Sequence, residues 1–193
     1  MFRFSKRPTK QLLYLLLARD MRLSEGREIG IDVGCGLMQN RPMFRTKRYF
    51  AIDLDAERLA TGRTKYPEAE TLAARMEDVK DVVGDMVLCV QTFVNSQFLA
   101  ENTLTAAEAL VRMTRRHGTL IFNISKRNMA YEDQIDTLLK GSFDTVTKVP
   151  YGVLVGKTLG PLSPLVAFAA LLLRPLRHGS SYDRIYYRCE GRR

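Results

Sequence analysis

A pair of glycines directly after a short apolar run is the feature that most constrains this chain. The run that ends at Gly34 and Gly36 predicts a β-strand followed by a tight turn. The next strand-like segment, 48–55, contains Asp53, which follows Asp32 by 21 positions. Nucleotide-binding sheets place about 20 residues between a glycine-rich turn and a ribose-binding carboxylate. The spacing therefore predicts a nucleotide-type pocket at the carboxyl edge of a parallel sheet.

Helix-like and strand-like segments alternate along most of the chain. The leucine-rich pattern of 9–23 predicts a helix that Gly26 ends, and the continuous apolar run in 85–93 predicts a strand covered on both faces. This alternation predicts an α/β fold with a doubly wound, mostly parallel sheet and helices on both faces. The other predicted helices are 55–66, 101–116 and 131–141, and the other strands are 28–34, 48–55, 69–74, 117–125, 143–152 and 181–191.

Length and composition predict one domain. A chain of 193 residues with 46% hydrophobic content can bury one core. Within residues 1–193 we expect four parts: an N-terminal helix in 1–27, a cofactor-binding core in 28–150, an apolar insert in 151–181, and a last strand with a basic tail in 182–193.

The cysteines favour a reducing, cytoplasmic setting. Cys35, Cys89 and Cys189 form no CxxC pair, and no histidine stands at metal-ligand spacing, so we expect neither a disulfide framework nor a metal site. The apolar run 12–18 is followed at once by charged residues, which favours a helix over a signal peptide. The apolar run 162–173 is too short to span a bilayer unaided.

The residues around the glycines favour one nucleotide over another. The dinucleotide fingerprint GxGxxG requires a third glycine where this chain has Gln39. Asp32 lies two residues before Gly34, where a carboxylate is unfavourable beside a pyrophosphate and favourable beside a cation. S-adenosylmethionine carries an ammonium and a sulfonium and no phosphate. Charge therefore favours S-adenosylmethionine over NAD as the cofactor.

The pairing of DVGCG with YFAIDLD resembles the class I S-adenosylmethionine-dependent methyltransferases, particularly small bacterial proteins with a methyltransferase domain. The resemblance covers residues 28–125. It implies a Rossmann-like, seven-stranded sheet with an antiparallel C-terminal strand, and an enzyme that acts as a methyltransferase. The chain lacks a later glycine after Gly36, a departure from the fullest form of the motif.

The resemblance also implies roles for residues of the glycine turn and the second strand. Asp32, Gly34 and Gly36 would line the methionine part of the cofactor, and Asp53 would bind the ribose hydroxyls. Cys35 is included among these cofactor-binding residues through its place in the turn. Its side chain is interpreted as a packing group, because no second cysteine or histidine is nearby in sequence.

Residues farther along the chain would complete the cofactor site. Leu54 would pack on the adenine, and Glu77 or Asp78 would accept a hydrogen bond from its amino group, although Arg75 stands where an aspartate is commoner. After the fourth strand, three polar residues would face the methyl-transfer cleft: Gln91, Thr92 and Asn95. Of these, Gln91 is also predicted to bind the cofactor.

A general base is optional in methyl transfer from a sulfonium, because the reaction is an in-line displacement that depends on alignment and exclusion of water. His117 precedes a strand and is therefore expected at the amino edge of the sheet. His178 precedes the antiparallel last strand and is expected at the ligand edge. His178 is thus the candidate catalytic base, with an ordinary loop histidine as the alternative.

The acceptor is the least constrained part of the prediction. The net charge of +9 favours an anionic partner: nucleic acid, phospholipid or a phosphorylated substrate. The apolar insert with basic residues after it suits a lid or a peripheral membrane contact through 162–177, or else a helix packed on its own domain or on a second copy in a homo-oligomer. We expect methylation of an O or N atom on a small molecule, including a lipid-linked or glycan-type acceptor. An RNA acceptor and a non-catalytic cofactor-binding or scaffold subunit remain as alternatives, although no NPPY-like base-flipping motif is present.

Overall fold

Seven strands form a single sheet in the order β3-β2-β1-β4-β5-β7-β6. The computed structural model describes residues 4–154, 156–173 and 183–193. The strands are β1 (Ile29–Val33), β2 (Arg48–Asp53), β3 (Glu70–Ala73), β4 (Gly84–Cys89), β5 (Thr114–Ser125), β6 (Phe143–Tyr151) and β7 (Arg184–Arg192). The α-helices are α1 (Pro8–Asp20), α2 (Ala56–Lys65), α3 (Thr103–Met113), α4 (Glu132–Ser142) and α5 (Ser163–Leu172).

The direction of the strands confirms the predicted fold class. β1 pairs in parallel with β2 and β4, β2 pairs in parallel with β3, and β4 pairs in parallel with β5. β7 lies between β5 and β6 and is antiparallel to both. The carboxyl ends of β1 to β6 therefore meet at one edge of the sheet, where ligands bind in open α/β folds.

Two apolar clusters cover the two faces of the sheet. On one face, the side chains of β1, β4 and β5 pack under α3 and α4. On the other face, side chains of β2, β4 and β5 pack under α1, with Leu59 of α2 and Ala167 of α5 in the same cluster. Helices on both faces were predicted from the alternation of elements, and this prediction is confirmed. None of the described helices combines the length and apolar character needed to cross a membrane.

Some element boundaries differ from the predicted ones for local reasons. The first helix ends at Asp20 and continues as a 3-10 turn, Met21–Ser24, before Gly26 at φ +75°. The strand expected over 85–93 ends at Cys89, two residues before Gln91 takes a left-handed conformation. Between β1 and β2 the chain forms only a 3-10 turn, Arg41–Met43.

Candidate cofactor site

The glycine turn lies at the carboxyl end of β1, with both glycines in the left-handed region. Gly34 has φ +68° and Gly36 has φ +53°, a conformation that is costly for residues with a side chain. A Cβ on Gly34 would lie 2.1 Å from the Thr92 Oγ1 atom, whereas a Cβ on Gly36 would meet no atom within 4 Å. The turn is therefore packed closely at Gly34 and open at Gly36, where a ligand can approach the backbone.

Asp53 at the end of β2 braces this turn with its carboxylate. Its Oδ2 accepts a hydrogen bond from the Gly36 N–H at 2.7 Å, and its Oδ1 accepts one from the Asp55 N–H at 3.0 Å. Each carboxylate oxygen can accept a second hydrogen bond, so two vicinal hydroxyls can still bind here. Leu54 follows at 67% exposure and offers an apolar surface beside that carboxylate.

Asp32 lies beneath the turn rather than at its open side. Its side chain is fully buried. Its Oδ2 accepts a hydrogen bond from the Tyr49 hydroxyl at 2.8 Å, and its Oδ1 accepts one from the Asn40 Nδ2 at 3.2 Å. Burial first, and then the charge of Asp32, raise the pKa of Tyr49, which keeps the hydroxyl a donor. Asp32 thus orders the loop after β1 and can act on a bound cation through its charge.

The turn after β3 contains the two carboxylates expected near an adenine. Residues Met76–Asp78 form a 3-10 turn. Glu77 is partly buried, 3.6 Å from the Arg75 Nη2 atom, and its carbonyl accepts a hydrogen bond from the Arg112 Nη2 at 3.1 Å. Asp78 is exposed. Because Glu77 lies beside the Arg75 cation and Asp78 is exposed to solvent, the two carboxylates differ in their capacity to accept a new donor.

A buried polar network joins the carboxyl ends of β4, β5 and β6. The Gln91 N–H donates to the Asn123 Oδ1 at 2.8 Å, and the Asn123 Nδ2 donates to the Tyr151 hydroxyl oxygen at 2.8 Å. Asn123 is fully buried and Tyr151 is 4% exposed. Gln91 has φ +67°, and its hydrogen bond to Asn123 holds it in this unfavourable conformation. Thr92 also lies at this edge and donates to the Val33 carbonyl at 3.3 Å.

Residues 31–122 match the family model described as "Methyltransferase domain". The matched segment begins in β1, includes the glycine turn and Asp53, and ends in β5. These residues, 92 of the 193, form a methyltransferase domain. The match supports an enzyme rather than a scaffold subunit.

Solved methyltransferase structures share the fold over nearly the whole chain. The N-methyltransferase NodS from Bradyrhizobium japonicum WM9, in complex with S-adenosyl-L-homocysteine, matches with a TM-score of 0.66 and 14% identity, over 96% of this chain and 88% of that one. An rRNA methylase from Streptococcus thermophilus matches with a TM-score of 0.58 and 12% identity, over 99% and 100%. A TehB-like methyltransferase from Corynebacterium glutamicum matches with a TM-score of 0.61 and 12% identity, over 91% and 87%.

These identities establish the fold and leave the methyl acceptor open. The structures named above carry names for different acceptors, an N-methyltransferase and an rRNA methylase among them. No curated protein matches the methyltransferase at a significant level of sequence similarity. The acceptor must therefore be argued from the site and the surface of this chain.

Cys35 of the methyltransferase is a packing residue in the turn. Its side chain is 5% exposed, and its backbone N–H donates to the Ile52 carbonyl at 3.2 Å. Burial, followed by the charges of Asp32 and Asp53, raises the pKa of the Cys35 thiol. The thiol therefore stays protonated near neutral pH and is a weak nucleophile. Cys89 is fully buried in β4, and burial raises its pKa to about 12.

Met38, two residues after Gly36, has a left-handed backbone of the kind that favours glycine. It has φ +54° although it carries a side chain, which costs about 1 kcal/mol of backbone strain. The side chain is fully buried and packs against Gly62 of α2, where an added Cβ would lie 2.9 Å from the Met38 Cγ. Burial of a methionine of this size contributes about 2 kcal/mol, which offsets the strain. The sequence shows the missing glycine, whereas the compensating glycine on α2 becomes visible only in the structure.

Met38 also lines a cavity of about 530 Å³. Its lining includes Leu37, Met43, Thr61 and Tyr66, and it contains none of the residues assigned to the cofactor. The cavity is therefore separate from the edge formed by the glycine turn and Gln91. Among the described residues, no three His, Cys, Asp or Glu side chains cluster in a way that could hold a metal ion.

The two histidines have different outcomes. His117 is exposed at the start of β5, at the amino edge of the sheet, as expected. His178, the candidate base, lies outside the described residues, as does the region 174–182 around it. The residues that sequence reasoning missed are Asn123 and Tyr151. An asparagine inside the apolar strand LIFNIS was the available signal, because an amide buried in a strand needs hydrogen-bond partners.

Proposed function

We propose that this methyltransferase transfers the methyl group of S-adenosylmethionine to an O or N atom of a small-molecule acceptor. The observation that carries the proposal is the uncharged network of Gln91, Asn123 and Tyr151 beside the glycine turn. Methyl transfer moves a carbon from a sulfonium in line with the nucleophile, so alignment and exclusion of water supply much of the acceleration. A rigid, uncharged edge suits that requirement.

The cofactor is proposed to bind along the carboxyl edge from β1 to β4. Asp53 would accept hydrogen bonds from the ribose hydroxyls, and Leu54 would pack on the adenine. Glu77 or Asp78 would accept from the adenine amino group. The open side of Gly36 would face the methionine part of the cofactor. This arrangement is supported by the space beside Gly36, where an added Cβ would meet no atom within 4 Å.

Four more residues complete the proposed cofactor-binding set without a side-chain contact to the ribose or the adenine: Asp32, Gly34, Cys35 and Gln91. Asp32 would act through its charge from beneath the turn, since its side chain is fully buried. Gly34 and Cys35 would contribute backbone groups, because both donate to the Ile52 carbonyl and fix the path of the turn. Gln91 would face the transferred methyl group from the end of β4.

The base for a hydroxyl acceptor is proposed to be His178. Tyr151 does not fit that role, because burial raises the pKa of its hydroxyl and it stays protonated near neutral pH. An imidazole titrates near neutrality and can accept the proton of a hydroxyl acceptor. If His178 is the base, His178→Gln removes the acidic limb of the pH–rate profile; an unchanged limb would assign the proton to another group or to water.

An RNA acceptor is the second candidate, because the net charge is +9. The basic group after the glycine turn argues against it. Arg41, Arg45, Lys47 and Arg48 each form an ion pair with a glutamate, at distances of 2.8 to 3.0 Å. These cations are already paired and offer little net charge to a phosphate backbone.

Transfer of a labelled methyl group to three pools of cell material tests the proposal. The protein is incubated with methyl-labelled S-adenosylmethionine and, separately, with an organic extract, an aqueous small-molecule extract and total RNA. We expect label in the organic or aqueous small molecules, and much less label with Asp53→Asn at a low concentration of S-adenosylmethionine. Label in RNA alone, removed by ribonuclease, would contradict the small-molecule proposal.

A further inference from the structure

The outer side of α5 exposes a continuous apolar surface. Five large side chains lie there at 53 to 67% exposure, spaced three or four residues apart for most of its length, and we call them the α5 face: Leu162, Leu165, Phe168, Leu172 and Leu173. The segment 158–173 contains no charged residue. Contiguous apolar surface of this kind marks a contact with a membrane or another molecule.

The inner side of α5 is already packed within the domain. Ser163 and Ala167 are fully buried, and Ala170 and Leu171 pack against the same core cluster as α1. The helix is therefore held in place by its inner side. The α5 face is the side of the helix that stays exposed to solvent when the inner side packs on the domain.

Backbone contacts place the start of this insert at the ligand edge of the sheet. β6 ends at Tyr151, and the chain continues to Val153, whose carbonyl accepts from the Thr9 Oγ1 at 2.7 Å and whose N–H donates back to it at 3.1 Å. The Leu159 N–H donates to the Lys6 carbonyl at 2.9 Å. The beginning of α1 and the approach to α5 are thus joined at the edge that contains Gln91.

The net charge of the chain is concentrated in the same two segments. Residues 1–19 carry five basic and no acidic residues, and residues 145–182 carry four basic and no acidic residues. The rest of the chain carries 21 of each sign, so these segments account for the whole net charge of +9. Lys6, Arg7 and Lys157 are exposed within the described part of them.

This combination selects one partner among those that an apolar face can have. Apolar side chains beside cations, with no acidic residue between Asp144 and Asp183, match the headgroups and upper acyl region of an anionic bilayer. A second copy of the chain would bring the same basic segments against each other, which is unfavourable. A nucleic acid would use the cations and leave the α5 face exposed.

We propose that the α5 face lies in the interface of an anionic lipid bilayer, with Lys6, Arg7 and Lys157 on the headgroup phosphates. A helix of ten residues is about 15 Å long, which suits a position parallel to the membrane plane. The inference rests on the proposed function, because the docked protein would receive a lipid-linked acceptor at the adjoining edge of the sheet.

Vesicle flotation at physiological salt tests the inference. We expect the protein to float with vesicles that contain phosphatidylglycerol and to remain unbound with phosphatidylcholine alone. The variant Leu165→Gln/Phe168→Gln/Leu172→Gln should bind on the order of a hundredfold more weakly. Leu99→Gln is its control, because Leu99 is 55% exposed and Phe168 is 53% exposed, and it should bind as the unmodified protein does.

The charge contribution has its own matched pair of variants. Lys6→Glu/Lys157→Glu should weaken binding to the anionic vesicles about tenfold or more. Lys80→Glu/Lys140→Glu makes the same change in charge at exposed positions elsewhere and should have less than a threefold effect, on the order expected for distant, screened charges. Equal losses in both double variants would overturn the placement of the cations against lipid.

Three results would overturn the inference. They are the absence of flotation of the unmodified protein with anionic vesicles, equal flotation of the triple variant, and a dimer of the unmodified protein that the triple variant converts to a monomer in light scattering. Calorimetric titration with S-adenosylmethionine separates this inference from the proposed function. A protein that binds S-adenosylmethionine and never binds vesicles overturns only the docking; one that binds vesicles and not S-adenosylmethionine overturns the proposed function.

Discussion

The edge of the sheet around the glycine turn and the layer formed by α1 and α5 differ in how their charged residues are distributed. Residues 20–144, which include the glycine turn and Asp53, carry 17 basic and 19 acidic residues, and the carboxylates at the turn are held by specific hydrogen bonds. The segments 1–19 and 145–182, which hold α1 up to Arg19 and the whole of α5, carry basic and no acidic residues, and α5 exposes apolar side chains. A cationic cofactor is matched by a few placed carboxylates, whereas an extended anionic surface is matched by many loosely placed cations.

A buried charge cluster joins the end of α1 to β7 of the sheet. Asp20 at the end of α1 is 1% exposed. It accepts hydrogen bonds from Arg19, from the Tyr186 hydroxyl and from Arg188 of β7. Burial opposes ionisation, but the hydrogen bonds from Arg19, Tyr186 and Arg188 lower the pKa of Asp20 below its usual value. The α1–α5 layer is thus fastened to the sheet by hydrogen bonds to one carboxylate.

The largest expected effect comes from breaking that link. Asp20→Ala should lower the free energy of unfolding by about 3 kcal/mol, the lower part of the range for a broken buried pair, because its arginine partners reach water. The measurement is chemical denaturation at pH 7. Asp144→Ala is the control: its ion pair with Arg193 is exposed, so its loss should be below about 1 kcal/mol.

The same carboxylate gives a pH dependence with a defined sign. Because the pKa of Asp20 is lowered in the folded state, its stabilisation is fully present above the unfolded value of about 3.9. The stabilisation is lost as the pH falls from there through the folded pKa. Denaturation curves from pH 7 to pH 2 should therefore fall less steeply at the acid end for Asp20→Asn than for the unmodified protein. Parallel curves would contradict this role.

A smaller effect is expected at the glycine turn. Gly34→Ala should lower the free energy of unfolding by about 2 kcal/mol, because a Cβ would meet Thr92 Oγ1 at 2.1 Å and because left-handed backbone is strained with a side chain. Adding Thr92→Ala should recover part of the loss. Gly36→Ala carries the strain alone, about 1 kcal/mol, and is expected to weaken cofactor binding more than it weakens the fold.

Loss of the Asp53 carboxylate, the proposed ribose ligand, should lower the affinity for the cofactor more than the stability of the fold. Asp53→Asn should weaken binding of S-adenosylmethionine about thirtyfold, equivalent to roughly 2 kcal/mol for hydrogen bonds to a charged acceptor. Asp55→Asn is the control, since Asp55 caps α2 through the Arg58 N–H at 3.0 Å. Phe168→Gln, in the other region, should leave the affinity unchanged. A loss of affinity for S-adenosylmethionine in Phe168→Gln would show that the α5 face contributes to cofactor binding, and would contradict the separation of the two regions.

The smallest effect is expected in the polar network. Tyr151→Phe keeps the ring and removes the oxygen that accepts from Asn123, so unfolding should require about 1 kcal/mol less. The rate of methyl transfer should fall while the affinity for S-adenosylmethionine is kept, because the network holds Gln91 and not the cofactor. Tyr66→Phe at the end of α2 is the control. Equal rates of methyl transfer in Tyr151→Phe and Tyr66→Phe would show that the network does not contribute to the reaction.

The sequence predicted the fold because its strongest local signals agree with one another. The glycines after β1, the acidic end of β2 and the alternation of helices with strands all indicate the same doubly wound sheet.

The polar network could not be predicted from the sequence, because its members are far apart in the chain. Gln91 follows β4, Asn123 lies in β5 and Tyr151 ends β6, and only the folded sheet brings them together. The left-handed backbone of Met38 depends on the space that Gly62 leaves on α2. Such compensation has no local signature. The burial of Asp32 also depends on a residue that is distant in the sequence, because Tyr49 on the neighbouring strand donates a hydrogen bond to its carboxylate.

Calorimetric titration of the unmodified protein with S-adenosylmethionine, and separately with NADH, tests the central claim most directly. The charge of Asp32 beneath the turn and the carboxylate of Asp53 at its edge predict saturable binding of the cationic, phosphate-free S-adenosylmethionine, competition by S-adenosyl-L-homocysteine, and no binding of NADH. Binding of NADH without binding of S-adenosylmethionine would contradict the account.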